Sequence, residues 1–345
     1  MRNNTFQGFR IIFAIGVVLS HCAFLPVIGA YLSPLSNVCF FFMLSGFLLR
    51  LTFKEQSFLT FIRKKLFRIW PLHLLMLLAM VVVKVVSGTF DITTTNFFTL
   101  FAHIFLIQTW IPNIDVATAY YTISWFLSSL LFCFIVGYFL LKYIAREKKW
   151  AKLLLYVLTG LLITIKIIIA IILPNDNKWG YYLVYLCPLA CLPDFLLGFI
   201  LFEAFKKTNI PEKTRVIFQI VSLCLIAFMF FSKHWLPINF SRGFYTIPFN
   251  LFLIYSFSKE TKMSSSIFGN KIMVFLGIVS FEVYLVHDLI ITGLKKYTSI
   301  LDWLSNNVHP SVCALLIVIV SVIIAVSYHF AFNLLIGLFK KKQKY

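Results

Sequence analysis

Arg10 and His21 frame the first apolar run of this chain, RIIFAIGVVLSH. At ~100° per residue, eleven helical steps make three turns and ~20°, so both side chains lie on one face. A rise of ~1.5 Å per residue separates them by ~16 Å along the axis. One stripe thus carries a fixed cation near its start and, deeper in, an imidazole that can take or give a proton near neutral pH. The pairing suits an anionic ligand docked at one level and acid–base or nucleophilic work at the other. The plainer reading is a core histidine bonded to a neighbouring helix, with the arginine as an ordinary membrane anchor.

Ionisable residues inside apolar runs are costly and point to function by default. The others here are Lys166, Asp194, Glu282, His287 and His329. In ISFEVYLVHDL, Glu282 and His287 stand ~140° apart round a helix, so one is expected to face a cavity and the other to bond a neighbouring helix. CLPDFLLGFIL sets Asp194 directly after Pro193, whose ring frees a backbone carbonyl that a cavity or protein partner must satisfy. In FIRKKLFRIWPLHLL, Lys65 and Arg68 are neighbours on a helix surface. Pro71 is expected in the first turn of the span that follows, where a missing N–H costs nothing. These two cations suit a phosphate-bearing ligand; the plainer reading is attraction to anionic lipid, which any juxtamembrane basic cluster provides. No metal is expected, since Cys187 and Cys191 share a helix face but have no further ligands.

The elements that must hold these residues are membrane helices. Of 345 residues 61% are hydrophobic and only 12% charged, far below the quarter usual in soluble domains. Apolar runs fall at about 9–28, 35–53, 69–87, 121–143, 153–173, 183–204, 215–232, 243–258, 272–294 and 312–339, which predicts an all-α polytopic integral membrane protein of about ten transmembrane helices. Connectors on one side, with both termini, hold 24 of the 31 Lys and Arg; the opposite connectors hold six. The positive-inside bias then places the N-terminus and C-terminus in the cytoplasm. The net charge of +19 sits in short connectors rather than on a polar domain, so no nucleic-acid partner is expected. The first run, whose n-region is basic but whose cleavage position is poor, is expected to stay as a span. No linker or repeat interrupts the chain, so residues 1–345 are expected to form a single transmembrane domain with no additional soluble domain. All seven cysteines fall in apolar runs, which argues against a disulfide framework.

Six motifs in order then carry a resemblance. RIIFAIGVVLSH resembles the arginine-x10-histidine motif that opens the membrane acyltransferase 3 family. FFFMLSGFLL (40–49), FIRKKLFRIWPLHLL, SWFLSSLLF (124–132), LPDFLLG (192–198) and SFEVYLVH (280–287) are similar to its later motifs and run from residue 10 to 287. The resemblance implies a membrane O-acyltransferase that moves an acetyl, or another short acyl group, from cytoplasmic acetyl-CoA to a hydroxyl of a cell-surface or lipid-linked glycan. It implies His21 as catalytic histidine with Arg10 as its partner, and Arg10, Lys65 and Arg68 as the cations that hold the donor. Trp125, Asp194, Glu282 and His287 fall in motifs and become supporting residues. Lys65 departs from the family's arginine and loses the bidentate fork. Leu130 stands where many members carry an acid, so no catalytic carboxylate is expected in that helix. The implied setting is the bacterial plasma (inner) membrane, with acyl-CoA, a saccharide acceptor and membrane lipid as partners.

His21 could act as general base or carry the acyl group itself, and the residues leave both routes open. For the acceptor, connector 88–120 offers Asp91, Trp110, Asp115, Tyr120 and Tyr121, although Trp and Tyr gather at membrane interfaces in any case. The alternative function is a polytopic transporter or exporter of a lipid-linked sugar or small molecule. Such folds often pair broken helices in two halves, and the Pro-bearing sixth span has no counterpart here.

Overall fold

The computed structural model describes residues 3–25, 28–88, 90, 96–144, 148–173, 177–296, 303 and 307–342. It is 84% helix, with no strand among the described residues. Among the described residues, six helices are long and apolar enough to cross a membrane: Phe58–Val86, Thr122–Ile144, Lys149–Ile172, Lys178–Lys206, Glu212–Trp235 and Pro310–Leu338. A seventh crossing is available if Lys271–Ile278 and Ser280–Lys296, bent by 57°, count as one. The other apolar runs form the shorter helices Thr5–His21 and Val38–Thr52, and a stretch broken into Ile238–Phe240, the π-helical turn Ser241–Tyr245 and Ile247–Ser256.

The chain packs as two compact units. The first joins Met1–Ser36 to Glu260–Tyr345, so the N-terminal helix lies among the chain's last helices. Thr5–His21 packs against Lys271–Ile278 and Ser280–Lys296, and the latter against Pro310–Lys342. Gly8 and Gly277 permit this: a Cβ on Gly8 would collide with the Phe268 carbonyl, and one on Gly277 with that of Gln7. The Glu260 carboxylate accepts from the Thr5 backbone N–H at 2.9 Å and from its hydroxyl at 3.2 Å. A carboxylate there satisfies an orphan donor and complements the helix dipole. The first helix is therefore held at its start by the segment that leads into its packing partners.

The second unit is Asn37–Lys259. Its most intimate pair is Val38–Thr52 against Pro188–Lys207, where small residues let backbones meet as they do in membrane bundles. Gly46 lies against the Phe195 carbonyl and Gly198 against that of Met43. Polar pairs tie the same unit together: Asn37 and Asn250 exchange amide hydrogen bonds at 2.8 and 3.0 Å, and Arg50 meets Glu203 at 2.8 Å.

Two expectations need correction here. Pro71 is not in a first turn; it lies inside Phe58–Val86, a helix that starts thirteen residues earlier at the Ser57 cap. The Leu, Arg and Lys residues of 58–70 are good helix formers, no Gly or Pro interrupts the stretch, and the Ser57 hydroxyl accepts from the Thr60 N–H at 3.3 Å, so the connector itself is helical. His21 is the last residue of its helix, not an interior position of a run that continues to residue 28. Asp91 lies outside the described residues.

Candidate functional site

Arg10 and His21 share one unbroken helix, Thr5–His21, so the common face and the ~16 Å spacing hold. Arg10 is half-buried and its Nη1 reaches the Gln7 Oε1 at 3.5 Å. His21, also half-buried, meets His287 edge to face, with ring centroids 5.0 Å apart and planes at 69°. His287 is completely buried, and among the described residues neither of its ring nitrogens has a hydrogen-bond partner. Tyr284, on the same helix, lies 5.7 Å from that ring.

The ~140° between Glu282 and His287 acts as the spacing requires. Glu282 turns to the last helix, where its Oε1 sits 3.2 Å from the His329 Nδ1. His287 turns to His21. The unit thus brings His21 and His287 together on two packed helices, with Arg10 ~16 Å away on the first of them, and keeps Glu282 and His329 as a separate pair.

In the second unit, Lys65 is half-buried, with its Nζ 4.2 Å from the Phe134 ring centroid and 5.4 Å from that of Phe61. Arg68, one turn on, is exposed. Trp125 begins the helix Trp125–Ile144 and is buried against Tyr185, ring centroids 4.7 Å apart. Asp194 does not stand alone: its Oδ2 accepts from the Lys166 Nζ at 3.1 Å, with both side chains at most 5% exposed.

Two groups escaped the sequence reading. His73 is completely buried; its Nε2 meets the His103 carbonyl oxygen at 2.8 Å. His103 in turn meets the Val116 carbonyl oxygen through Nε2 at 2.9 Å, and Ser124 Oγ lies 3.4 Å from its Nδ1. Burial pushes His103 down to about 3, with the Val116 carbonyl pulling the other way. Nothing in the spacing of these histidines marks them, because their partners are backbone carbonyls. The second group is Arg242, whose guanidinium lies over Tyr181 at 4.9 Å and Tyr185 at 5.5 Å.

Connector 88–120 also reads differently in space. Tyr120 and Tyr121 are buried; the Tyr120 hydroxyl donates to the Asn96 carbonyl at 3.3 Å and Tyr121 stacks on His73. Neither can present a face to a sugar, because both rings are packed inside the unit. Asp115 is exposed, and Trp110 is partly exposed with its Nε1 donating to the Ser128 carbonyl at 3.2 Å.

The family model described as an acyltransferase domain, acyltransferase 3, matches residues 3–328. The chain belongs to the acyltransferase 3 family. No curated protein and no solved structure matches it. Family membership together with the apolar helices makes the chain an integral membrane acyltransferase, and the match favours that activity over an exporter. Among the described residues, no three His, Cys, Asp or Glu side chains gather as metal ligands.

Proposed function

We propose that this acyltransferase moves an acetyl or other short acyl group from cytoplasmic acyl-CoA to a hydroxyl of a cell-surface or lipid-linked glycan, with His21 as general base. The reading is carried by one observation: His21 closes the helix that bears Arg10 on the same face, and its ring rests on a buried histidine. Family membership supplies the class of reaction; this pair supplies a base and a cation at a fixed spacing.

In the proposed step, His21 takes the acceptor's hydroxyl proton as its oxygen attacks the thioester carbonyl. The C–O bond forms, the C–S bond breaks, and the departing thiolate recovers the proton from the imidazolium. Arg10, with a guanidinium suited to bidentate phosphate contacts, is the donor-binding cation on this helix. Lys65 and Arg68 are the further cations assigned to donor phosphates, Arg68 by its exposure and Lys65 with a point charge in place of a fork. The CoA pantetheine arm is long, thin and nearly neutral, and is the part of the donor suited to the ~16 Å between Arg10 and His21. All ten helical runs count as crossings in this reading, with both termini cytoplasmic and the chain in a bacterial inner membrane.

The test compares surface glycan, by mass spectrometry, from cells that make the wild-type protein, His21→Ala or no protein. Loss of a general base costs about 10²–10⁴ in rate, so acylation should vanish with His21→Ala. Acylation at wild-type level in that variant would remove His21 from the reaction.

A further inference from the structure

Arg242 stands out among the cations of its end of the second unit. Connectors assigned to the non-cytoplasmic side hold Lys84, Lys178, Lys233, Lys295, Lys296 and a single arginine, Arg242. Charge bias disfavours it there, and among the described residues no carboxylate or other hydrogen-bond acceptor meets its guanidinium. Its contacts are the faces of Tyr181 and Tyr185. Those two rings stack on each other, centroids 5.6 Å apart and planes at 26°. Tyr185 leans in turn on Trp125.

The backbone here is as unusual as the side chains. Tyr182–Leu186 and Ser241–Tyr245 are both π-helical turns, a rare conformation that concentrates at functional sites. The two turns pack together. Gly243 permits the approach, since a Cβ there would sit only 3.0 Å from the Val184 Cγ1. Each π turn adds a residue to its helix, so the side chains around it are re-aimed. One carries Tyr185 and the other Arg242.

The cluster is also at the right end. Lys65 touches Phe134, nine residues from Trp125 along one helix, or ~13 Å. Lys65 and the Arg242 cluster thus lie at different levels of the same unit. Arg242, Tyr181 and Tyr185 are half-buried rather than sealed. Aromatic faces accept the apolar face of a sugar ring, and a guanidinium stacked flat on tyrosine keeps its edge N–H groups free for a carboxylate or phosphate.

We propose that Arg242, Tyr181, Tyr185 and Trp125 form the acceptor subsite, and that the acceptor is an anionic saccharide: a sugar ring that carries a carboxylate or phosphate. The proposal rests on the acyltransferase reading above for the word acceptor, but its test does not need acyl transfer. The whole chain is reconstituted in phosphatidylcholine nanodiscs without acyl-CoA. Tri-galacturonate, its carboxyl-reduced neutral counterpart and glucose 1-phosphate are then titrated against it, with affinity read by microscale thermophoresis and each variant's folding checked by thermal unfolding.

An acidic saccharide should bind in preference to the neutral one. Arg242→Gln should weaken binding about tenfold or more, the cost of one charge-assisted contact. Arg242→Lys should keep part of it, and Lys178→Gln, at an exposed cation nearby, should match wild type. Tyr185→Leu, which keeps bulk but loses the ring face, should weaken acidic and neutral ligands alike and serves if Arg242→Gln does not fold. Preference for tri-galacturonate would indicate a free acidic polysaccharide, and for the phosphate a lipid-linked sugar phosphate; either supports the site. Equal binding of neutral and acidic sugars, no saccharide binding, an unchanged Arg242→Gln, or, in a parallel set of discs doped with phosphatidylglycerol, Arg242-dependent binding to that lipid alone would each overturn it. A chain that binds acidic sugar through Arg242 yet transfers no acyl group would leave the subsite standing and defeat the reaction reading alone.

Discussion

His21 and His287 meet edge to face at 5.0 Å across two helices of one unit, and His287 has no hydrogen-bond partner among the described residues. A fully buried ring packed against the proposed base fits a positioning role. Removing the ring should let the His21 side chain drift, and ~1 Å of misplacement can cost 10²-fold. His287→Ala should lower kcat by about 10–100-fold with little change in KM for acyl-CoA, whereas His287→Phe, which restores the ring, should recover most of the rate. Steady-state CoA release checks this. A loss as deep as that of His21→Ala in both variants would instead make His287 part of the proton path.

Lys166 and Asp194 form the most buried ion pair described here, 3.1 Å apart. Breaking such a pair strands a charge in the interior and costs about 3–5 kcal/mol, while replacing both partners by apolar groups is often neutral. Asp194→Leu alone should sharply reduce the fraction of folded protein in detergent, and Lys166→Met with Asp194→Leu should restore it. Fluorescence-detected size exclusion and thermal unfolding give the comparison. A double variant that folds and remains active would make Asp194 structural. One that folds and is inactive would return Asp194 to the reaction.

Much of this was legible in the sequence because helical periodicity is local. The Arg10–His21 face and the divergence of Glu282 from His287 follow from 100° per residue, and both hold in space. Partner choice is not local. Lys166 and Asp194 each appeared as a lone buried charge, although they fall at similar depth in consecutive runs, and matching depth with opposite charge would have suggested the pair. Pro71 misled because the basic residues before it are helix formers whose charge suggested a connector. His73 and His103 bond backbone carbonyls, which no residue pattern displays. Arg242 looked like an ordinary connector charge because the π turns that aim it have no sequence signature.

The buried His103 should make the fold acid-sensitive. Its folded pKa is lowered from 6.5 to about 3, so the unfolded state binds the extra proton first as pH falls. Its contribution to stability is intact above about 6.5 and is lost progressively between 6.5 and about 3. The wild-type protein in detergent should therefore melt at lower temperature at pH 5 than at pH 7.5. His103→Gln, which has nothing to titrate, should show a smaller drop, even from a lower starting point. An equal drop in both would assign the acid sensitivity to other groups.

Glu282 and His329 give the last prediction, because their partial exposure, 15% and 23%, separates them from the sealed Lys166–Asp194 pair. Glu282→Gln keeps an oxygen to accept from the His329 Nδ1, so only the charge is lost and stability should fall by no more than about 1 kcal/mol. His329→Phe leaves the carboxylate with neither oxygen bonded, since Oε2 already has no partner among the described residues. It should cost more, about 1–3 kcal/mol. Both variants should keep acyl transfer near the wild-type rate, because the pair faces the last helix while His21 rests on His287. If Glu282→Gln folded normally but lost transfer, the carboxylate would have to act on the reaction, and the division of this helix into a structural face and a site face would be wrong.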